Sequence, residues 1–417
     1  MKIDPDAAGL DAGRLERITA HVESRYMRPG KLAGCQVAVQ RHGSLGYLHS
    51  FGNADNERSV PVVDDTVWRL YSMTKPITGV ALMQLYEHGH FQLNDNIDRF
   101  LPEFADLKVS ERNPNGTRTL VEPHRKMSVK DALMHTTGIG YGTAPGDGVE
   151  VGEPTAGDPT GMFGFLRQKG MTLELMVTKL AEQPLYFHPG ERWLYSYSTD
   201  ICSRLVEVIS GQRFDDYLRD NLFTPLGMED TGFVVPDDKA DRFAASYVRK
   251  RDKTLGVLDD PTTSGYRRQR SFLSGGGGLV GTTADYLRFA QMLCNGGELD
   301  GVRILGRKTV ELMATNHFAP KTPGVVPTLR HYATGAWSES AYDGVGFGLT
   351  VAVGTDPAAQ GTIGSPGEFF WGGAASTIFW IDPAEELVVV FMTQLIPSST
   401  FNFRGQLKSL VYPAIVD

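Results

Sequence analysis

Ser72-Met73-Thr74-Lys75-Pro76 opens a stretch that is apolar almost all round: Ile77, Val80, Ala81, Leu82, Met83, Leu85 and Tyr86. A helix with no polar face has to lie inside a core. The rest of the chain must therefore wrap around this segment. Pro76 belongs near a helix start and Gly89 just past a helix end, so Ser72 is expected at or just before the first turn of a buried helix. Ser72 and Lys75, three residues apart, then share one face. A serine becomes a nucleophile only with a base, and a lysine is a base only once it has lost its proton. Burial favours that loss, and a helix N-terminus favours developing negative charge. The spacing alone also fits two polar residues opening an ordinary helix, so the surroundings must decide.

The chain has 417 residues, enough for one large domain or two ordinary ones. Its 49 acidic against 41 basic residues give a net charge of -8, which argues against a nucleic-acid surface. No apolar stretch is long enough to span a bilayer. Met1 is followed by Lys2, Asp4 and Asp6, unlike a secretory leader. Cys35, Cys202 and Cys294 are few, odd in number and far apart, and read as buried thiols of a reducing compartment. Together these predict a cytoplasmic protein.

Residues 9–29 carry a helical stripe of Leu10, Leu15, Ile18, Val22 and Tyr26. Cys35–Val39 and Leu45–Phe51 read as a hairpin about Arg41-His42-Gly43-Ser44. Residues 102–127 hold a hairpin or loop signal at Asn113-Pro114-Asn115-Gly116, and Ser128 caps a further helix that runs out at His135-Thr136-Thr137-Gly138. Helices are predicted over 171–182, 200–211 and 214–222. Long loops are predicted at 141–163 and 319–343. The run from Ser274 to Leu279 holds four glycines and reads as tight backbone beside a cleft, before a helix capped by Thr282 or Thr283. Strands return at Phe347–Val353, Glu368–Ala374, Thr377–Ile381 and Leu387–Gln394, and a helix covers 403–412. Strands from both ends are expected to join one antiparallel sheet flanked by helices, an α+β architecture. The predicted division is a sheet domain of 1–71 with 265–417, and a mainly helical lobe of 72–264.

Two further stretches bear on chemistry. In Pro189-Gly190-Glu191-Arg192-Trp193-Leu194-Tyr195-Ser196-Tyr197, a turn precedes a tyrosine suited to a cleft. In Phe369-Phe370-Trp371-Gly372-Gly373-Ala374, two glycines inside a good strand mean that something approaches the backbone closely. With these stretches in this order, and with Met134-His-Thr-Thr-Gly138 and Phe223-Thr-Pro-Leu-Gly-Met228, the sequence resembles the serine β-lactamase and penicillin-recognising superfamily. The class C and family VIII carboxylesterase branch is the most similar. The resemblance implies a β-lactamase/transpeptidase-like fold with the site between its two parts. It also implies that Ser72 is the nucleophile, that Lys75 activates it, and that Tyr195 shuttles the proton to the leaving group. The backbone N–H groups of Ser72 and Ala374 would form the oxyanion hole. Trp371, Gly372, Gly373, Tyr197 and His135 are the candidate substrate-binding residues, with His135 read as lying under the site rather than acting as a catalyst. No cofactor or metal is expected, and the scattered histidines, including His88-Gly89-His90, show no zinc spacing.

Two departures from the family pattern matter. Tyr197 stands where β-lactamases and peptidases have Asn, and Trp371-Gly372-Gly373 stands where they have Lys or His before Thr-Gly or Ser-Gly. Lysine there would offer charge to a substrate carboxylate, whereas Trp offers an apolar face. The resemblance therefore implies neutral, small-molecule ester substrates, unless an arginine from elsewhere reaches the cleft. Changes at Trp371 are expected to shift substrate preference more than acylation. The competing readings are an acyltransferase on the same site, a β-lactamase or D-amino-acid peptidase, and a catalytically dead binding module. No serine lies in Gly-x-Ser-x-Gly, which disfavours the α/β-hydrolase fold.

Overall fold

A computed structural model of the chain describes residues 2–141, 170–334 and 342–417. Its main sheet has eight strands among the described residues, all antiparallel to their neighbours. The order across it is Val345–Phe347, Ala352–Gly354, Phe369–Gly372, Ile378–Asp382, Leu387–Thr393, Gly34–Arg41, Ser44–Asp55 and Val60–Pro61. The two ends of the chain thus meet in one sheet, with Cys35 opposite Thr393 and Arg41 opposite Leu387. The hairpin at His42-Gly43 has both residues at positive φ (51° and 72°), the geometry that matches strand twist.

The predicted central helix is Thr74–Glu87, preceded by a 3₁₀ turn at Tyr71–Met73 that carries Ser72. Every residue from Thr74 to Leu85 is buried, as its lack of a polar face requires. Helices Val129–Met134, Leu173–Ala181 and Ser198–Ser210 form part of the helical region around it, while Thr283–Cys294, capped by Thr282, packs on the sheet near Leu387–Thr393. Cys35 and Cys202 are buried and Cys294 half-buried, all three as free thiols. No helix among the described residues is long and apolar enough to cross a membrane.

One strand differs from expectation. Phe347–Val353 is two short strands, because the chain turns aside at Gly348–Thr350. There Leu349 N–H donates to Met313 O (2.9 Å) and Thr350 N–H to Leu133 O (2.9 Å), with Thr350 at φ 70°. Tertiary hydrogen bonds to two other segments win over a continuous ladder. The strands Ser246–Arg249 and Leu255–Asp259, joined by Leu395–Ile396, form a small sheet that periodicity did not reveal. Most of the 141–163 loop lies outside the described residues. Within 319–343 the chain forms a short helix, Leu329–Tyr332, and 335–341 lie outside the description.

Candidate active site

Ser72 sits at the N-terminal end of the central helix, directly after Tyr71, whose φ of 46° places a bulky side chain in the left-handed region. Such a conformation persists only where surrounding structure enforces it. Here the strand end at Gly373 does so. A Cβ at Gly373 would lie 2.5 Å from Leu70 O and 3.2 Å from Tyr71 Cβ. Gly372 faces Thr377 O and Ile378, while the close approach at Gly373 is made by Thr377 and by the turn that carries Ser72. It also brings the backbone next to Ala374 beside the turn that carries Ser72.

Lys75 is 1% exposed, and a buried amine needs partners. It donates to Gly276 O at 2.7 Å and to Ser72 Oγ at 3.2 Å, and lies 3.4 Å from the Tyr141 hydroxyl. Its Nζ is also 4.4 Å from the centre of the Tyr195 ring. The hydroxyl, amine and phenol predicted from separate stretches thus converge.

Trp371, a substrate-binding candidate, meets Tyr195 directly. Its indole N–H donates to the Tyr195 hydroxyl at 3.2 Å. The two residues are 176 positions apart in sequence, so no local pattern could show this.

His135 is 0% exposed and ends its helix at φ 57°. Its ring packs 4.9 Å from that of Tyr195. Its nitrogens lie 3.3 Å from the hydroxyls of Ser196 and Thr199. It supports the tyrosine from beneath, which corrects its place among the substrate-binding candidates: with no exposed surface it meets no substrate. Burial, and then the charge of Lys75, hold its pKa well below the usual 6.5, so the ring stays neutral. Unfolded, the same ring takes up a proton below 6.5. The unfolded state then binds more protons, and stability falls with falling pH by up to about 1.4 kcal/mol per pH unit. His135→Asn is expected to flatten this acid limb in urea unfolding; equal slopes in both proteins would contradict it.

Tyr197 is 3% exposed and packs edge-on against Tyr141, with ring centres 4.6 Å apart. Tyr141 also meets Tyr195 at 5.7 Å. Tyr141 was not anticipated, because it stands at the edge of a Gly- and Pro-rich loop. Burial raises its pKa well above 10 and keeps the phenol protonated.

Asp200 was also missed. It is 2% exposed, and its carboxylate accepts from Ser274 Oγ (2.5 Å) and Gly276 N–H (3.1 Å). A Cβ at Gly276 would come within 2.5 Å of Asp200 Oδ2, so this contact requires glycine. Asp200 thereby fixes the loop whose carbonyl grips Lys75. Burial pushes its pKa up, opposed first by the charge of Lys75.

Among the described residues Arg404 lies next to Trp371, and it is already committed. Its guanidinium donates to Phe379 O (2.7 Å) and Trp371 O (3.2 Å) and lies over the Phe370 ring at 4.5 Å. Phe370 and Trp371 point to opposite faces of their strand, so Arg404 lies behind the sheet face that carries Trp371.

Glu111, His124 and His188 also converge among the described residues, in a grouping able to hold a metal. The imidazoles are stacked at 3.6 Å and 5°, and His188 Nδ1 accepts from His124 N–H (3.2 Å). That assigns the proton to Nε2, which donates to Glu111 (2.8 Å) and leaves no lone pair there for an ion.

This fold and site define a class of serine enzyme built on the β-lactamase scaffold. The chain belongs to the Beta-lactamase family, whose model matches residues 19–408. It is 31% identical over 405 residues to Esterase EstB of Burkholderia gladioli, covering 94% of this chain and 93% of that protein. It is 31% identical over 374 residues to Protein Rv1367c of Mycobacterium tuberculosis (strain ATCC 25618 / H37Rv), covering 88% and 87%. Among solved structures it resembles EstCE1, a hydrolase with promiscuous acyltransferase activity. That match has a TM-score of 0.75 and 25% identity over 97% of this chain and 99% of that one. The unliganded selenomethionyl form of Simvastatin Synthase (LovD) from Aspergillus terreus shares the fold at TM-score 0.74, over 96% and 97% of the two chains at 23% identity.

Proposed function

We propose that the protein is a carboxylesterase acting through an acyl-serine intermediate. The observation that carries this reading is the Lys75 amine at 3.2 Å from the Ser72 hydroxyl and 4.4 Å from the Tyr195 ring centre. Lys75, having given up its own proton, takes the Ser72 proton as Oγ attacks the ester carbonyl. The N–H groups of Ser72 and Ala374 receive the oxyanion. Collapse of the tetrahedral adduct breaks the bond to the alcohol oxygen, which takes its proton through Tyr195. Water then repeats the attack on the acyl-serine and releases the acid. The similarity to Esterase EstB supports this choice, as does the apolar face of Trp371 where a charged residue would suit a carboxylate-bearing β-lactam.

A second reading, transfer of the acyl group to an alcohol or amine, is favoured by the likeness to EstCE1, whose description names both activities. Products from a panel of p-nitrophenyl esters, with and without an added alcohol and beside one cephalosporin, test both. Free acid as the main product supports the esterase. Acylated acceptor as the main product favours transfer. Cephalosporin turnover rivalling that of esters would overturn both.

Two outcomes follow from the supports around the site. Trp371→Phe keeps the ring and removes the indole donor to Tyr195, so kcat is expected to fall about tenfold on every ester, through loss of one buried hydrogen bond. A change in chain-length preference alone would contradict this. Asp200→Asn keeps the shape but weakens the acceptor for Ser274 and Gly276. Its kcat/KM is expected to fall about tenfold, because the loop whose Gly276 carbonyl accepts from Lys75 is held less firmly. An unchanged kcat/KM would remove Asp200 from the account.

A further inference from the structure

A pocket of about 310 Å³ is lined by Met134 and Thr136, the chain neighbours of His135, and by Tyr332. In a chain with a net charge of -8, its lining is cationic, carrying Arg125, Lys126 and Lys130. Two of these charges are already matched. Arg125 makes two bonds to Asp131 (2.5 and 2.8 Å), and Lys126 pairs with Asp98. Asp131, the acid in the lining, is further occupied by Ser128 N–H and Oγ (2.8 and 2.7 Å) and by Thr136 Oγ1 (2.8 Å). Lys130 is different. It is half-buried, and among the described residues its amine reaches no acceptor. Burial pushes its pKa down; Asp131 opposes this and Arg125 adds to it. A partly desolvated ammonium whose hydrogens reach no acceptor is costly, and a bound anion offsets that cost. The same lining holds the buried rings of Phe318 and Tyr332, stacked at 4.4 Å and 8°, with Lys321 Nζ over the Tyr332 ring at 3.9 Å.

We propose that this pocket binds a carboxylate carrying a flat apolar body, with the carboxylate on Lys130 and the body against the Phe318–Tyr332 wall. The pocket abuts the candidate active site through backbone: Trp193 N–H donates to Tyr332 O (2.9 Å) and Gly190 N–H to Thr136 O (2.8 Å). A bound acid would thus rest against the segment that leads to Tyr195. The acid half of an ester belongs to the same chemical class, but binding here does not depend on the esterase reading.

Isothermal titration of the full-length protein with benzoate tests the proposal, with inorganic phosphate as the anion lacking a body. Benzoate is expected to bind the parent protein and Lys130→Arg, and to bind about tenfold or more weakly to Lys130→Ala and Lys130→Met. The methionine variant keeps the stem and removes only the charge, so cooperative unfolding with lost binding isolates the ammonium. Phosphate is expected to bind more weakly than benzoate. No benzoate binding, equal affinity in all variants, or phosphate binding more tightly than benzoate would overturn the proposal.

Discussion

Replacing Ser72 by alanine is expected to lower turnover of a short-chain p-nitrophenyl ester by about 10⁴-fold or more, the scale seen when a nucleophile is removed from a site whose other parts remain. The fold should survive. Ser72 lies on the 3₁₀ turn at Tyr71–Met73, and its hydroxyl accepts a bond from a lysine that keeps Gly276 O at 2.7 Å as a second partner. Unfolding midpoints within a few degrees of the parent, with activity gone, are the expected pair of results. Substantial residual turnover would remove Ser72 as the nucleophile.

Lys75→Ala is expected to cost about 10²–10⁴-fold in kcat/KM, the range of a positioned general base. Lys75 is also among the largest fully buried side chains, so truncation leaves a cavity and strands the Gly276 carbonyl. Lys75→Met fills that volume without a base. It should be as inactive as the alanine variant while melting closer to the parent. Activity that tracked stability across the two variants would mean that the lysine is structural. Tyr195→Phe extends the test, because it removes the hydroxyl that Trp371 holds and leaves the ring beside Lys75 in place. A phenylalanine enzyme near parental activity would take the phenol out of proton transfer.

The Ser72–Lys75 pair was legible because both residues lie within one turn, and helical spacing alone brings them together. The sheet was legible too, since alternation and turn chemistry mark its strands near both ends of the chain. What sequence could not give were the long-range contacts. The Lys75–Gly276 bond spans 201 residues and the Trp371–Tyr195 bond spans 176. Asp200 looked like an ordinary acid in a first helical turn, where such residues are common for reasons unrelated to chemistry. The glycines at 372 and 373 did announce a close approach, but not its partners, which are Thr377 at both and, at Gly373, also the turn before Ser72. The break at Gly348–Thr350 was hidden because alternation cannot report hydrogen bonds to Met313 and Leu133.

The central claim is that an acyl group passes through Ser72. Mass spectrometry of the protein quenched during turnover of p-nitrophenyl acetate, followed by peptide mapping, tests it most directly. One acetyl group on the peptide containing Ser72, absent from Ser72→Ala, is the expected result. Turnover with no acyl-protein, or an acetyl group on a different residue that survives in Ser72→Ala, would contradict it.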